Sequence, residues 1–283
     1  MTLKVVACSV VLFAVATFVD ATNAVAQSVS ALRAQSLSAL MKGDQESAIA
    51  SADRMIKAYP QDSRAMLLSA DIYLRAGKPL WAVRMFDRYL EDKPEAKAEL
   101  WQRGIALYFI GDYEKATEQF EEHRRVNPND VENAAWHFLC VAKAESFAAA
   151  RENVLPAPND TRVPMKQVLG LLKTGDTDAV NTAVNATQVD TSERQSAQFY
   201  GDFYLGLYAD AKGDQNAAQK LMNRAVEDAP RNYMGDVARV YANYLSGKLE
   251  LDPKKEQLDL PVPKSILKSP KSDQPSKSAS DET

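Results

Sequence analysis

Apolar and small side chains recur along this chain at helical spacing, in pairs of short segments separated by a turn. In the clearest pair, Leu100 and Leu107 lie two helical turns apart on one face. A Gly-Asp turn follows, and then Ala116 and Phe120 stand one turn apart before Pro128 interrupts the pattern. Polar residues fill the other positions, as is typical of amphipathic helices that bury one face. The pattern predicts two short helices joined by a tight turn.

This helix pair repeats along the chain at a step of 34 residues. Glycine at the turn tolerates the left-handed conformation that ends a helix. Alanine in the second helix lets the two helices approach closely, and proline then ends that helix. The positions at this step are Gly43, Gly77 and Gly111, then Ala48, Ala82 and Ala116, then Pro60, Pro94 and Pro128, and the same internal spacing returns in Gly213, Ala218 and Pro230.

This period and residue pattern are the sequence signature of a tetratricopeptide array. The predicted fold class is therefore all-α, a helix-turn-helix solenoid with an irregular middle segment and a C-terminal capping helix. The array is predicted to occupy residues 27–250, with repeats at about 29–62, 63–96, 97–130 and 199–232, a degenerate unit at 131–190 and the capping helix at 233–246. Such arrays present an extended concave surface to other proteins.

The 34-residue period fails between about Glu145 and Asp190. Residues 134–147 predict the first helix of this unit, but Glu145 stands where the glycine turn is expected, so this helix continues or ends irregularly. Residues 155–160 predict a loop by their proline, asparagine and aspartate content. A shorter helix pair is predicted at 164–173 and 176–184.

The two ends of the chain differ from the array in composition. Residues 1–26 combine Lys4, an apolar run and small residues before Gln27, which predicts a secretory signal peptide and a periplasmic or secreted protein. Cys8 precedes the apolar run rather than following it, so we expect no lipid anchor there. Residues 251–283 are rich in Pro, Ser and Lys and predict a disordered tail.

Composition excludes several classes of function. The net charge of −4 argues against a nucleic-acid partner, because phosphate binding needs clustered Lys and Arg. No metal-ligand spacing and no glycine-rich phosphate loop occurs. We therefore predict no catalytic residues, no metal, no cofactor and no small-molecule substrate. The expected partners are proteins or peptides.

The order of motifs resembles that of the NlpI-type tetratricopeptide lipoproteins of the bacterial envelope. The resemblance rests on residues 103–112 (RGIALYFIGD), residues 127–130 (NPND), the helix containing Trp136, and residues 203–208 (FYLGLY) before Gly213. It covers roughly residues 65–245. It implies an adaptor that brings cell-wall hydrolases and a processing protease together. The chain departs from the family in lacking a convincing lipid-attachment motif.

The helical period assigns particular side chains to the concave groove of the array. Positions 2, 5, 9 and 12 of each repeat share one face of the first helix. The groove is predicted to be apolar and aromatic, and it lacks the Lys and Asn that would capture a chain-terminal carboxylate. The residues predicted to bind a partner there are Arg33, Arg64, Asp71, Trp101, Ile105, Tyr108, Tyr200, Phe203 and Leu207.

Other interpretations of the same residues stay open. Aromatic side chains at helical spacing are more often core than binding site, and the middle segment or the C-terminal helix could fold into the groove and bury them. A homodimer through the same apolar surface, in a self-associating structural protein, is a further alternative. The remaining alternative is an enzyme that uses Cys140 and His137 as a nucleophile and its base, three residues apart on one helix.

Overall fold

The computed structural model describes residues 27–227 and 229–252. Within these ranges the chain forms α-helices, one 3-10 helix and no strand, which confirms the prediction of an all-α chain. The helices are α1 (Val29–Met41), α2 (Gln45–Ala58), α3 (Ser63–Arg75), α4 (Pro79–Asp92), the 3-10 helix (Pro94–Glu99), α5 (Trp101–Phe109), α6 (Tyr113–Val126), α7 (Val131–Ala144), α8 (Phe147–Glu152), α9 (Met165–Thr174), α10 (Thr177–Ala186), α11 (Ser192–Ala211), α12 (Gln215–Glu227) and α13 (Tyr233–Leu245).

Consecutive helices pack against each other as tandem pairs. The most extensive pairings are α1 with α2, α3 with α4, α5 with α6, α6 with α7, and α11 with α12. The periodic alanines lie inside these pairs: Ala48, Ala82, Ala116 and Ala218 are each fully buried. A methyl group at these positions lets neighbouring helices pack at a short distance.

In the first and last of these pairs, the turn combines a glycine with a following aspartate that caps the next helix. Gly43 has a φ of 74° and Gly213 a φ of 86°, both in the left-handed region that a side chain disfavours. Asp44 then accepts a hydrogen bond from the Ser47 backbone N–H at 3.0 Å, which caps the next helix. Asp214 caps α12 in the same way through Ala217.

Close approach within one pair is set by Gly104 in α5. A Cβ atom built on Gly104 would lie 2.7 Å from the Phe120 ring, which α6 buries against it. A Cβ atom built on Gly170 in α9 would have no neighbouring atom within 4 Å. The two helical glycines therefore differ in their packing.

We expect Gly104→Ala to lower the free energy of unfolding by about 1–3 kcal/mol, because the added methyl group must displace a packed ring. Gly170→Ala, its matched control, should raise stability by roughly 0.5–1 kcal/mol through its better helix propensity. Urea unfolding of both variants measures the difference. Equal effects of the two substitutions would contradict the packing argument.

The C-terminal helix α13 packs back onto the first half of the chain. It contacts α12, its neighbour in sequence, and also α3. Arg75 of α3 donates hydrogen bonds to Asp236 Oδ2 from Nε at 3.0 Å and from Nη2 at 2.9 Å. The Tyr241 ring lies 5.8 Å from that of Tyr108 on α5. Helix α13 thus occupies the inner face that the repeat pattern had left open.

The irregular middle segment forms α8, α9 and α10. Helix α7 ends at Ala144, and a new short helix begins at Phe147 without a glycine turn between them. Helix α9 ends at Gly175, whose φ is 84°. Helices α9 and α11 each pack against α7, so the segment extends the array rather than forming a separate unit.

Two predicted segments fall largely outside the described residues. These are the signal peptide, residues 1–26, and all but the first two residues of the predicted tail, 251–283. Among the helices of the described ranges, none combines the length and the apolar character that a membrane span requires.

Candidate functional site

The structure corrects the expectation of an open apolar groove. Ile105 and Tyr108 on α5 and Phe203 and Leu207 on α11 are fully buried, with exposed fractions of 0%. These four side chains contribute to the core and are not available to a partner at the surface. For two of them the physical reason is Tyr241 of α13, whose ring lies 5.8 Å from that of Tyr108 and 6.2 Å from that of Phe203.

A buried carboxylate fixes this closed arrangement. Asp210 on α11 accepts hydrogen bonds from the Tyr108 hydroxyl at 2.6 Å and the Tyr241 hydroxyl at 2.7 Å. Its other oxygen accepts from Lys143 Nζ at 2.8 Å and from Gln215 at 2.9 Å. Five helices therefore meet at one carboxyl group that is 1% exposed.

The other predicted groove residues remain partly or fully exposed. Arg33 and Arg64 are exposed on α1 and α3. Asp71 is partly buried and lies 3.6 Å from Arg75, and burial raises the pKa of its carboxyl group despite that cation. Trp101 and Tyr200 are half-buried.

Trp101 lines a cavity at the junction of α5, α6, α7 and α13. The cavity has a volume of about 220 Å³. The Trp101 ring contacts that of Tyr233 edge-to-face, with centroids 4.8 Å apart. The residues that line it are Trp101, Phe120, Asp130, Glu132, Asn133, Trp136, Tyr233 and Met234. The cavity is largely aromatic, with polar groups at the start of α7.

Two of the lining residues carry a buried polar atom without a hydrogen-bond partner among the described residues. These atoms are Asn133 Oδ1 and Trp136 Nε1, whereas the Tyr233 hydroxyl lies against the Asp71 carboxylate. Asn133 is 5% exposed, and its amide nitrogen donates to the Phe120 carbonyl at 3.0 Å while its oxygen accepts from nothing. Unpaired buried polar atoms are uncommon, because each loses its bonds to water. These two atoms add one hydrogen-bond acceptor and one donor to the wall of the cavity.

One arginine forms ion pairs with the carboxylates on the acidic side of the cavity. Arg162, in the loop before α9, pairs with Asp130 at 3.0 Å, with Asp160 at 2.6 Å and with Glu132. Glu132 also accepts from the Tyr204 hydroxyl at 2.6 Å. Burial raises the pKa of Glu132, and the Tyr204 hydrogen bond and the Arg162 charge oppose that shift only in part.

The pKa values of Asp160 and Tyr200 are shifted by the same group of charges. Burial raises the pKa of Asp160, but hydrogen bonds from the Arg162 side chain and backbone outweigh it and hold the pKa below its usual value. Burial, helped by the charge of Glu132, raises the pKa of Tyr200 to about 12. Three carboxylates thus share one guanidinium beside the cavity, which leaves a local excess of negative charge.

On the α13 side, guanidinium groups outnumber carboxylates. Arg75 lies over the Tyr233 ring at 5.0 Å and pairs with both Asp71 and Asp236. Arg239 pairs with Asp236 at 3.1 Å. The charges of Arg231 and Arg33 also act on Asp236 and Asp71, respectively. The negative excess therefore lies at the start of α7.

The residues of the enzyme alternative are buried. Cys140 is 0% exposed, and burial raises the pKa of its thiol, which disfavours the reactive thiolate. His137 is 2% exposed and lies 3.5 Å from Glu121 Oε1, and burial lowers the pKa of its ring. In the part of the chain that the structure describes, no group of His, Cys, Asp or Glu is placed to hold a metal ion.

Sequence reasoning identified only one wall of this site. Trp101 was predicted as a binding residue and lines the cavity, whereas Trp136 and Phe120 carry the same helical spacing as core positions and gave no separate signal. Tyr233 and Met234 belong to α13, whose position has no counterpart in the repeat register. Glu132 was not singled out in the sequence, and Asp130 was noted only as part of the NPND segment.

No protein-family model matches this chain.

Proposed function

We propose that this protein is a tetratricopeptide scaffold that binds another protein at the aromatic cavity rather than along an open groove. The observation that carries the proposal is the cavity itself, which is lined by partly exposed Trp101 and by two buried polar atoms, Asn133 Oδ1 and Trp136 Nε1, that lack partners among the described residues. Concave apolar pockets with a few convergent polar groups are the usual form of a binding site. Aromatic residues in such pockets dominate the binding energy of interfaces.

The tetratricopeptide assignment is supported by the backbone at the periodic glycines. Gly43, Gly77, Gly111 and Gly213 have φ values of 74°, 80°, 83° and 86°, so the same turn recurs at each of them. Buried alanines follow each turn at the same distance. Both features match what the 34-residue period requires of each repeat.

The setting of this scaffold is proposed from the sequence. The signal-peptide pattern in residues 1–26 favours export to the periplasm or beyond. The resemblance to NlpI-type proteins then favours an adaptor for envelope proteins, with cell-wall hydrolases and proteases as the partner classes. A role without catalysis is supported by the burial of Cys140 and His137.

Site-specific photo-crosslinking in the native cells tests the binding site. A photoreactive residue replaces Asn129, which is exposed next to Asp130 at the cavity. We expect a discrete adduct with a second protein, because a partner that enters the cavity must pass this position. Asn216, exposed on α12, is the matched control position and should give no such adduct.

The adduct should disappear when Trp101→Leu is added, since that change removes an aromatic wall of the cavity. Thermal unfolding of this variant checks that it still folds. The proposal fails if Asn129 gives no adduct, or if the same adducts form from Asn129 and Asn216 or persist without Trp101.

A further inference from the structure

We infer that the aromatic cavity takes the guanidinium group of an arginine side chain that a partner protein presents. This inference rests on the proposed function and specifies the chemistry of the group that enters. It follows from three separate properties of the cavity: its charge, its hydrogen-bond acceptors and its aromatic walls.

The charge of the cavity favours a cation. Asp130 and Glu132 line it, and no lysine or arginine is among the lining residues. Their carboxylates share Arg162 with Asp160, and among the described residues no second lysine or arginine pairs with any of the three. A further positive charge would therefore meet net attraction at short range, strengthened by the low dielectric of a buried site.

The hydrogen-bonding atoms of the cavity favour a donor-rich group. Asn133 Oδ1 accepts no hydrogen bond from the described residues, and the carboxylates of Asp130 and Glu132 line the same cavity. The Trp136 ring N–H is the single donor among the unpaired atoms of the lining. A guanidinium carries five N–H donors in a fixed plane, more than the three of an ammonium. The Trp136 N–H leaves a place for a carbonyl group of the same entering segment.

The walls and the size of the cavity favour arginine over a larger ligand. Four of the eight lining residues are aromatic, and a cation held over aromatic faces gains more when it is desolvated. The volume of about 220 Å³ is below the roughly 300–1,000 Å³ of small-molecule sites. The chain has the same kind of contact outside the cavity, where Arg84 lies 4.5 Å from the Trp81 ring centre, and Arg75 lies over one ring of the cavity wall, that of Tyr233.

Calorimetric titration of the full chain with two short peptides tests the inference. The probe is acetyl-Gly-Ala-Arg-Ala-Gly-amide, and its control carries citrulline, a neutral group of the same shape, in place of arginine. We expect the arginine peptide to bind and the citrulline peptide to bind at least about tenfold more weakly, because only the former carries the charge. The citrulline comparison uses the unaltered protein, so it does not depend on any variant folding.

Trp101→Leu should weaken binding of the arginine peptide by about tenfold, and Trp81→Leu, outside the cavity, should leave it unchanged. Equal affinity for the two peptides, or no binding of the arginine peptide, would overturn the inference. Such a result would not bear on the proposed function. That function is tested independently, because crosslinking at Asn129 reports any protein that enters the cavity, whatever its charge.

Discussion

Replacing Asp210 with alanine should lower the free energy of unfolding by about 3–5 kcal/mol, the largest loss that we expect from a single side chain here. The carboxyl group is 1% exposed and accepts hydrogen bonds from Tyr108, Tyr241, Lys143 and Gln215. Its removal leaves the Lys143 ammonium without its counter-ion and two buried hydroxyls without their acceptor. Urea unfolding followed by circular dichroism measures the change.

Two controls separate this effect from a general loss of charge. Asp92→Ala removes an exposed carboxylate at the end of α4 and should change stability by no more than about 0.5 kcal/mol. Asp210→Asn keeps the size of the side chain and one acceptor oxygen. Its loss of stability should therefore lie between those of Asp210→Ala and Asp92→Ala. A cost for Asp210→Ala as small as that for Asp92→Ala would contradict the role given to this network.

The same carboxylate has a defined pH signature. Burial raises the pKa of Asp210, but the hydrogen bonds of Lys143, Tyr108 and Tyr241 outweigh it and lower the pKa below its ordinary value of 3.8. Asp210 therefore stabilises the fold above that value, and this contribution is lost as the pH falls through the lowered pKa. Asp210→Asn should accordingly show a shallower loss of stability on acidification than the unaltered protein.

The local structure of the chain could be predicted from its sequence, because each determinant is local. A glycine with positive φ must follow each first helix, and small side chains must occupy the contact within each pair. Gly77 and Gly111 meet the first condition, with φ values of 80° and 83°. Ala82 and Ala116 meet the second, and both are fully buried.

The closed form of the molecule could not be predicted in this way, since it depends on contacts between distant segments. Asp210 and Tyr108 are 102 residues apart, and Arg75 and Asp236 are 161 residues apart. An apolar face on α5 and α11 has the same sequence pattern whether it lines an open groove or lies under α13. The cavity walls at Glu132 and Tyr233 come from these distant contacts too, so no repeat position marked them.

Helix α13 links the stability of the fold to the proposed binding site. Its Tyr241 closes the Asp210 network, and its Asp236 pairs with Arg75. Its first turn also supplies Tyr233 and Met234 to the cavity. A change that displaces this first turn should therefore weaken the fold and reshape the site together.

Gly235→Ala is expected to produce this combined loss. A Cβ atom on Gly235 would collide with the backbone carbonyl oxygen of Pro230 and lie 3.0 Å from its carbonyl carbon. A backbone carbonyl cannot relieve the clash by changing rotamer as a side chain can. The first turn of α13 must therefore move. We expect a loss of stability of about 1–3 kcal/mol. Trp101 should also become more accessible to acrylamide quenching, because its contact with Tyr233 is lost.

Quenching reports the cavity directly, since the other two tryptophans, Trp81 and Trp136, are buried and Trp101 is half-exposed. Gly206→Ala is the matched control. Its Cβ atom would lie 3.3 Å from Leu221 between α11 and α12, so it should reduce stability without moving α13. If Gly206→Ala increases quenching as much as Gly235→Ala does, the signal reflects general loosening. If only Gly235→Ala increases quenching and also abolishes the adduct at Asn129, the position of α13 controls access to the binding site.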